Sequence, residues 1–201
     1  MGITVHPDAK GLIFDMDGTL SDSLPVHLAT WNAIGKKYGF NFDPEILTEL
    51  TGRPTIEFAN RVIEQYGVQE TPENLVKQKQ ESFWELAHLL TPIEEVVSIV
   101  KNYYGKLPLA LGTGASKKSA EVQLKALKLE KYFDAVVSAN DVTRHKPEPE
   151  TFLKCARQIG VEPRFCQVFE DGDLGIAAAK TAGMFVTDIR KHINYGEWKH
   201  S

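Results

Sequence analysis

The sequence predicts an α/β fold: a doubly wound, Rossmann-like parallel sheet carrying an inserted all-helical cap. Two observations lead there. Over residues 107–187 short apolar runs alternate with helical patterns, and that alternation specifies parallel strands joined by right-handed crossovers with helices on both faces. Over residues 21–90 only helical periodicity occurs. The expected division is therefore a core from 1–20 and 91–201 and a helical cap from 21–90.

The elements follow in chain order. Leu12-Ile13-Phe14 reads as a buried strand that breaks at Asp15, Asp17 and Gly18. Ser23 and Pro25 start a helix in which Leu24, Leu28, Trp31, Ile34 and Tyr38 recur at helical spacing until Gly39. Asp43-Pro44 starts a shorter helix ending near Gly52; Ile56, Ala59, Ile63 and Tyr66 mark a third, closed by Gly67; Thr71-Pro72 begins a long one reaching about residue 90. Thr91-Pro92-Ile93-Glu94 matches a capping box with proline at the first helical position. The helix it predicts runs through Val96, Val97, Val100 and Tyr103. Strands are then expected over 107–111, 135–138, 167–169 and 184–187, and helices over 116–127, 151–159 and 174–182. The tail, 191–201, has Tyr195 and Trp198 but no assigned element.

Composition narrows the function classes. A charged content of 25% and a hydrophobic content of 42% are those of an ordinary globule with enough chain for a packed core. The net charge of -4 gives no electrostatic basis for binding nucleic acid or an anionic membrane. No apolar run reaches membrane-spanning length, and residues 1–10 lack the apolar segment of a secretory signal. The expectation is a cytoplasmic protein, monomeric or weakly dimeric. Cys155 and Cys166 have no CxxC or nearby Cys/His cluster and read as reduced packing residues.

Four stretches carry chemistry. Asp15 and Asp17 stand where the first strand ends, the place where open α/β sheets bind ligands. Two acids this close repel unless a cation or proton lies between them, and an aspartate can also accept a phosphoryl group. Leu111-Gly112-Thr113-Gly114 ends a strand at a hydroxyl between glycines, just before a helix start at Ser116 that favours an anion. In His145-Lys146-Pro147-Glu148-Pro149 two prolines restrict the loop and give Lys146 a direction, with His145 as supporting structure. Phe169-Glu170-Asp171-Gly172-Asp173 again ends a strand in paired acids; an all-oxygen donor set favours Mg2+, and Asp173 reads as the N-cap of the next helix. Each stretch alone has a plainer reading: an Asp-rich turn, a Gly-Thr-Gly turn, a solvated lysine beside a rigid bend.

Together, Asp15 and Asp17, Thr113, Lys146, and Glu170 with Asp171, in that order along nearly the whole chain, resemble the four motifs of the haloacid dehalogenase superfamily of phosphoryl-transfer enzymes. The resemblance implies Asp15 as nucleophile and Asp17 as general acid/base. It implies Mg2+ held by the Asp15 side chain, the Asp17 backbone carbonyl and Asp171, with Glu170 directly or through water, and phosphoryl oxygens held by Thr113, the Gly114 N–H and Lys146. Asp-Met-Asp-Gly-Thr-Leu-Ser-Asp-Ser from Asp15, the pair His27 and Trp31, and 169–176 look like the branch containing β-phosphoglucomutase. They look most like its small phosphatases of hexose phosphates such as fructose-1-phosphate. Candidate sugar contacts by this resemblance are His27, Arg53 and Lys79. Each has a plainer reading: His27 and Trp31 share a helical face that packs, and Lys79 lies on a helix rich in exposed charge. Arg53 sits in a Gly/Pro loop between helices, where specificity loops belong.

The implied activity is a Mg2+-dependent phosphatase acting on a small phosphorylated sugar. The alternative is a β-phosphoglucomutase, which typically has Val where Thr19 stands and Ser-Ala-Ser where this chain has Thr113-Gly114-Ala115. A metal-independent dehalogenase leaves Asp17, Glu170 and Asp171 unexplained. A phosphorylated receiver lacks the helical insertion and carries its acceptor later in the chain.

Overall fold

The computed structural model describes residues 2–50 and 54–193. In chain order come β1 (Gly11–Phe14) and β2 (Ser21–Asp22), then α1 (Leu24–Tyr38), α2 (Glu45–Glu49), α3 (Thr55–Tyr66) and α4 (Pro72–Leu86). The chain continues with β3 (Thr91–Pro92), α5 (Glu94–Tyr103), β4 (Leu109–Gly112), α6 (Lys117–Leu127), β5 (Ala135–Val137), α7 (Glu150–Gln158), β6 (Cys166–Glu170), α8 (Asp173–Thr181) and β7 (Phe185–Asp188). Two compact units result, residues 1–22 with 91–201, and residues 23–90.

The first unit is a five-stranded parallel sheet in the order β5-β4-β1-β6-β7. The chain lays β4 and β5 on one side of β1, then reverses to lay β6 and β7 on the other. That reversal makes the carboxyl end of β1 the crevice of the sheet. Both faces are covered, which is why β1 and β4 read as unbroken apolar runs. Leu12, Phe14, Leu109, Leu111 and Phe169 face Val96 and Val100 of α5 and Ala120 and Leu124 of α6. Ile13, Ala110, Val137 and Val168, one residue out of phase, face Phe152, Cys155 and Ala156 of α7 and Ala178 and Ala179 of α8. Phe14 and Phe169 stack at 4.8 Å between ring centroids. Both cysteines are free and buried in this core, and burial pushes the Cys166 thiol up to about 11, so packing is what they do.

Three local expectations are corrected. Thr91 and Pro92 form no capping box: they pair with Asp22 and Ser21 in an antiparallel ribbon, and α5 starts at Glu94 behind Ile93. Ile93 is extended, and its N–H donates to the Leu20 carbonyl at 3.0 Å, so the helix begins two residues later than the box requires. Residues 21 and 22, which helical periodicity assigned to the cap, are a strand of that ribbon. Asp173 is not an N-cap either. Gly172 takes that position, and Asp173 pairs instead with Arg190 at 2.8 Å.

The second unit packs its four helices around Trp31, Ile34, Phe42, Ile46, Ala59, Val62 and Leu75. Trp31, 1% exposed, stacks on Phe42 at 5.5 Å and on Phe58 at 6.4 Å, so its place on the His27 face is a packing role. No helix among the described residues is long and apolar enough to cross a membrane.

Candidate active site

Parallel pairing decides the site. Because β4 and β6 flank β1 in register, Thr113, Asp15 and the Glu170-Asp171 pair emerge at the carboxyl ends of three neighbouring strands. The register is held up to those ends: the Asp15 N–H donates to the Phe169 carbonyl at 3.1 Å, and the Thr113 N–H to the Val137 carbonyl at 2.9 Å.

Lys146 reaches the same place from the loop after β5. Its Nζ donates to Asp15 Oδ1 at 2.6 Å and to Glu170 Oε1 at 2.7 Å, and it lies 4.7 Å above the Phe152 ring centroid. With 13% of its side chain exposed it is not the solvated lysine of the plainer reading. The loop is pinned by Glu150, which accepts the N–H groups of Thr143 and Arg144 at 3.0 and 2.9 Å, and by a reciprocal cap between Ser138 and Asp141. His145 is exposed and contributes its carbonyl to the Glu148 N–H, 2.9 Å, in this bend.

The acids are held from behind. Glu170 Oε2 accepts the Gly172 N–H at 2.6 Å, and Asp171 Oδ1 accepts the Thr19 hydroxyl at 3.0 Å. Two glycines make room for them. A Cβ on Gly175 would stand 1.7 Å from Glu170 Oε1, and one on Gly18, at φ +79°, would stand 2.2 Å from Asp171 Oδ2. Asp17 is half-buried, and its Oδ2 accepts Gln123 Nε2 from α6 at 3.4 Å. Thr113 is buried, with its Oγ1 taking the Ala115 N–H at 3.0 Å, while Gly114 is exposed with open space around it.

Ligand oxygens of Asp15, Glu170 and Asp171 all lie within 4.8 Å of one another. Burial pushes the Asp15 carboxyl well above the ordinary carboxylate range, and Glu170 and Asp171 add to this against the pull of Lys146. Burial by itself lowers the Lys146 ammonium, but the carboxylates of Asp15 and Glu170 more than offset it and raise the group. Three carboxylates against one ammonium leave the cluster short of positive charge. An all-oxygen, anionic set of this kind fits a hard divalent cation such as Mg2+.

The sugar-contact candidates stand apart from these groups in sequence. Lys79 is 8% exposed, not part of a solvated face: its Nζ lies 2.9 Å from His27 Nδ1 and 4.9 Å from the Phe83 ring centroid. His27 stacks on Phe83 at 4.7 Å. Arg53 and Gly52 lie outside the described residues, as do Tyr195 and Trp198. Sequence reasoning missed Gln123, the hydroxyl contact of Thr19 and the space given by Gly175. A glycine inside a helix start was the available sign for the last; a lone glutamine on an amphipathic helix offers none.

A family model of haloacid dehalogenase-like hydrolases matches residues 12–189. The chain is 43% identical over 182 residues to the fructose-1-phosphate phosphatase YqaB of Escherichia coli (strain K12), covering 90% of this chain and 96% of that one. It is 32% identical to a phosphorylated carbohydrates phosphatase of Thermotoga maritima, over 87% of this chain and 82% of the other. The crystal structure of the β-phosphoglucomutase of Clostridium difficile superposes with a TM-score of 0.73 at 26% identity, over 89% and 83% of the two chains. Strand-end acids, the lysine between them and a family match spanning most of the residues lead to one assignment: the chain belongs to the haloacid dehalogenase-like hydrolases.

Proposed function

We propose that this protein is a Mg2+-dependent phosphatase of small sugar phosphates, fructose-1-phosphate among them, working through an aspartyl phosphate on Asp15. The observation that carries the reading is Lys146 bridging Asp15 and Glu170 inside a cluster of three carboxylates. The Escherichia coli and Thermotoga relatives support the substrate class. Residues 1–22 with 91–201 are the proposed catalytic core, and 23–90 the proposed cap, which excludes water and supplies sugar contacts from His27, Arg53 and Lys79.

In the first half-reaction an Asp15 carboxylate oxygen attacks phosphorus in line, the bond from phosphorus to the sugar oxygen breaks, and Asp17 protonates that oxygen. In the second, water attacks the aspartyl phosphate, Asp17 takes its proton, and Asp15 leaves as the carboxylate. Thr113, the Gly114 N–H and Lys146 hold the phosphoryl oxygens throughout. Asp15, the Asp17 carbonyl and Asp171 would hold Mg2+, which would supply the positive charge that the spreading phosphoryl oxygens require. Glu170 would complete the metal site directly or through water.

The mutase reading draws on the Clostridium structure. Against it, Ala115 removes a serine contact that a bisphosphate intermediate uses. A phosphate-release screen over phosphorylated sugars, with and without Mg2+, on wild type and Asp15→Asn, tests the proposal. Mg2+-dependent release from fructose-1-phosphate that Asp15→Asn abolishes is expected. Formation of glucose-6-phosphate from β-glucose-1-phosphate with a bisphosphate primer, in place of release, overturns it for the mutase. Turnover insensitive to EDTA with halide release overturns it for the dehalogenase.

A further inference from the structure

We infer that Gln123 is a positioning residue for Asp17, orienting the carboxyl that carries the proton; the inference rests on the role proposed for Asp17 above. Gln123 sits on α6 at 1% exposure, beside Leu124 and three residues after Ala120, on the face that packs against the sheet. An apolar residue is what such a position ordinarily holds. The amide there is only half satisfied: Nε2 donates to Asp17 Oδ2 at 3.4 Å, while Oε1 is buried without a hydrogen-bond partner among the described residues. Burying an amide acceptor without a partner works against folding. Stability therefore gives no reason for glutamine at this place. Its hydrogen bond joins it, across 106 residues of sequence, to Asp17.

The direction of that bond has a chemical use. Asp17 lies just beyond β1, ahead of the Gly18 turn, and in the proposed reaction serves two proton transfers at one phosphorus, to the sugar oxygen and then from water. Both need a carboxyl held in one orientation. A donor on Oδ2 fixes the orientation of the carboxyl. The contact is long at 3.4 Å, as catalytic hydrogen bonds often are before substrate tightens them.

Leaving-group dependence tests this. A sugar oxygen must be protonated as it leaves, whereas p-nitrophenolate leaves without help, so loss of a well-aimed acid shows in kcat/KM for fructose-1-phosphate and much less for p-nitrophenyl phosphate. Wild type, Asp17→Asn, Gln123→Met and Gln123→Leu are compared on both substrates, with thermal unfolding as the folding measure. For Gln123→Met the expected result is a loss of roughly tenfold on the sugar phosphate, part of the 10²–10⁴ that a positioned acid supplies. On the aryl phosphate the loss is under about threefold, with inhibition by inorganic phosphate unchanged and the unfolding temperature no lower than that of wild type. Asp17→Asn shows the same selectivity at larger size. Selective loss in Asp17→Asn with an equal or absent loss in the Gln123 variants overturns the inference and leaves the role of Asp17 standing. An Asp17→Asn that lacks selectivity overturns both. Gln123 variants that fail to fold assign the residue to packing and also overturn the inference.

Discussion

Replacing Lys146 by methionine keeps most of the side-chain volume and removes the ammonium from between two buried carboxylates. Nζ stands 2.6 Å from Asp15 and 2.7 Å from Glu170, whose side chains are 9% and 4% exposed. Removing one partner from a buried ion pair costs about 3–5 kcal/mol, because the remaining charges stay desolvated. At ~2–4 °C per kcal/mol for a chain of this size, Lys146→Met in metal-free buffer should unfold about 6–20 °C below wild type. The pH dependence has a definite sign. Asp15 is raised above its unfolded value, so the stability its proton contributes is fully present below the ordinary carboxylate range and is lost as pH rises through the raised value. Lys146 is the group that pulls Asp15 down, so in the variant Asp15 rises further. The gap between the two proteins is therefore widest at alkaline pH and narrows on acidification, as Asp15 takes up a proton. Calorimetry from about pH 5 to about pH 8.5 in EDTA measures it, and Mg2+ should recover more of the variant's stability than of the wild type's by supplying the missing charge. Equal unfolding temperatures across that range, or a gap that widens toward acid, would refute the bridging role of Lys146.

Two other outcomes follow from measured distances. Gly175→Ala places a methyl 1.7 Å from Glu170 Oε1 and forces that carboxylate off Lys146 and the Gly172 N–H; a loss of 10–100-fold in Mg2+ affinity or kcat/KM is expected, by titration and by phosphate release. Trp31→Ala empties the centre of the helical unit between Phe42 and Phe58 and should cost about 3–5 kcal/mol by urea unfolding.

Lys79 and Lys146 show where sequence reasoning stops. Lys79 lies on a helix rich in charge, where nothing in local pattern separates it from a solvated lysine, and Lys146 had only its neighbouring prolines to give it a direction. The structure buries both, Lys146 between two acids and Lys79 beside His27 over the Phe83 ring. Thr91-Pro92-Ile93-Glu94 shows the opposite limit. A local cap signature was present, yet pairing with Ser21 and Asp22, far away in sequence, took the backbone for a ribbon. Asp173 stands one residue past the cap position, which Gly172 takes, and pairs with Arg190 instead.

Apolar runs, helical periods and the residues at their ends were sufficient to determine a parallel sheet with a helical insertion and to mark Asp15, Thr113, Lys146 and Glu170-Asp171 as strand-end chemistry, because periodicity and turn preference act between residues close in the chain. Tertiary structure alone decided which of these groups touch. The Lys146 contact to Asp15 spans 131 residues, that of Thr19 to Asp171 spans 152, and that of Gln123 to Asp17 spans 106. Such contacts depend on the order and register of strands around β1, and a one-residue slip in register would turn each strand's side chains to the other face of the sheet.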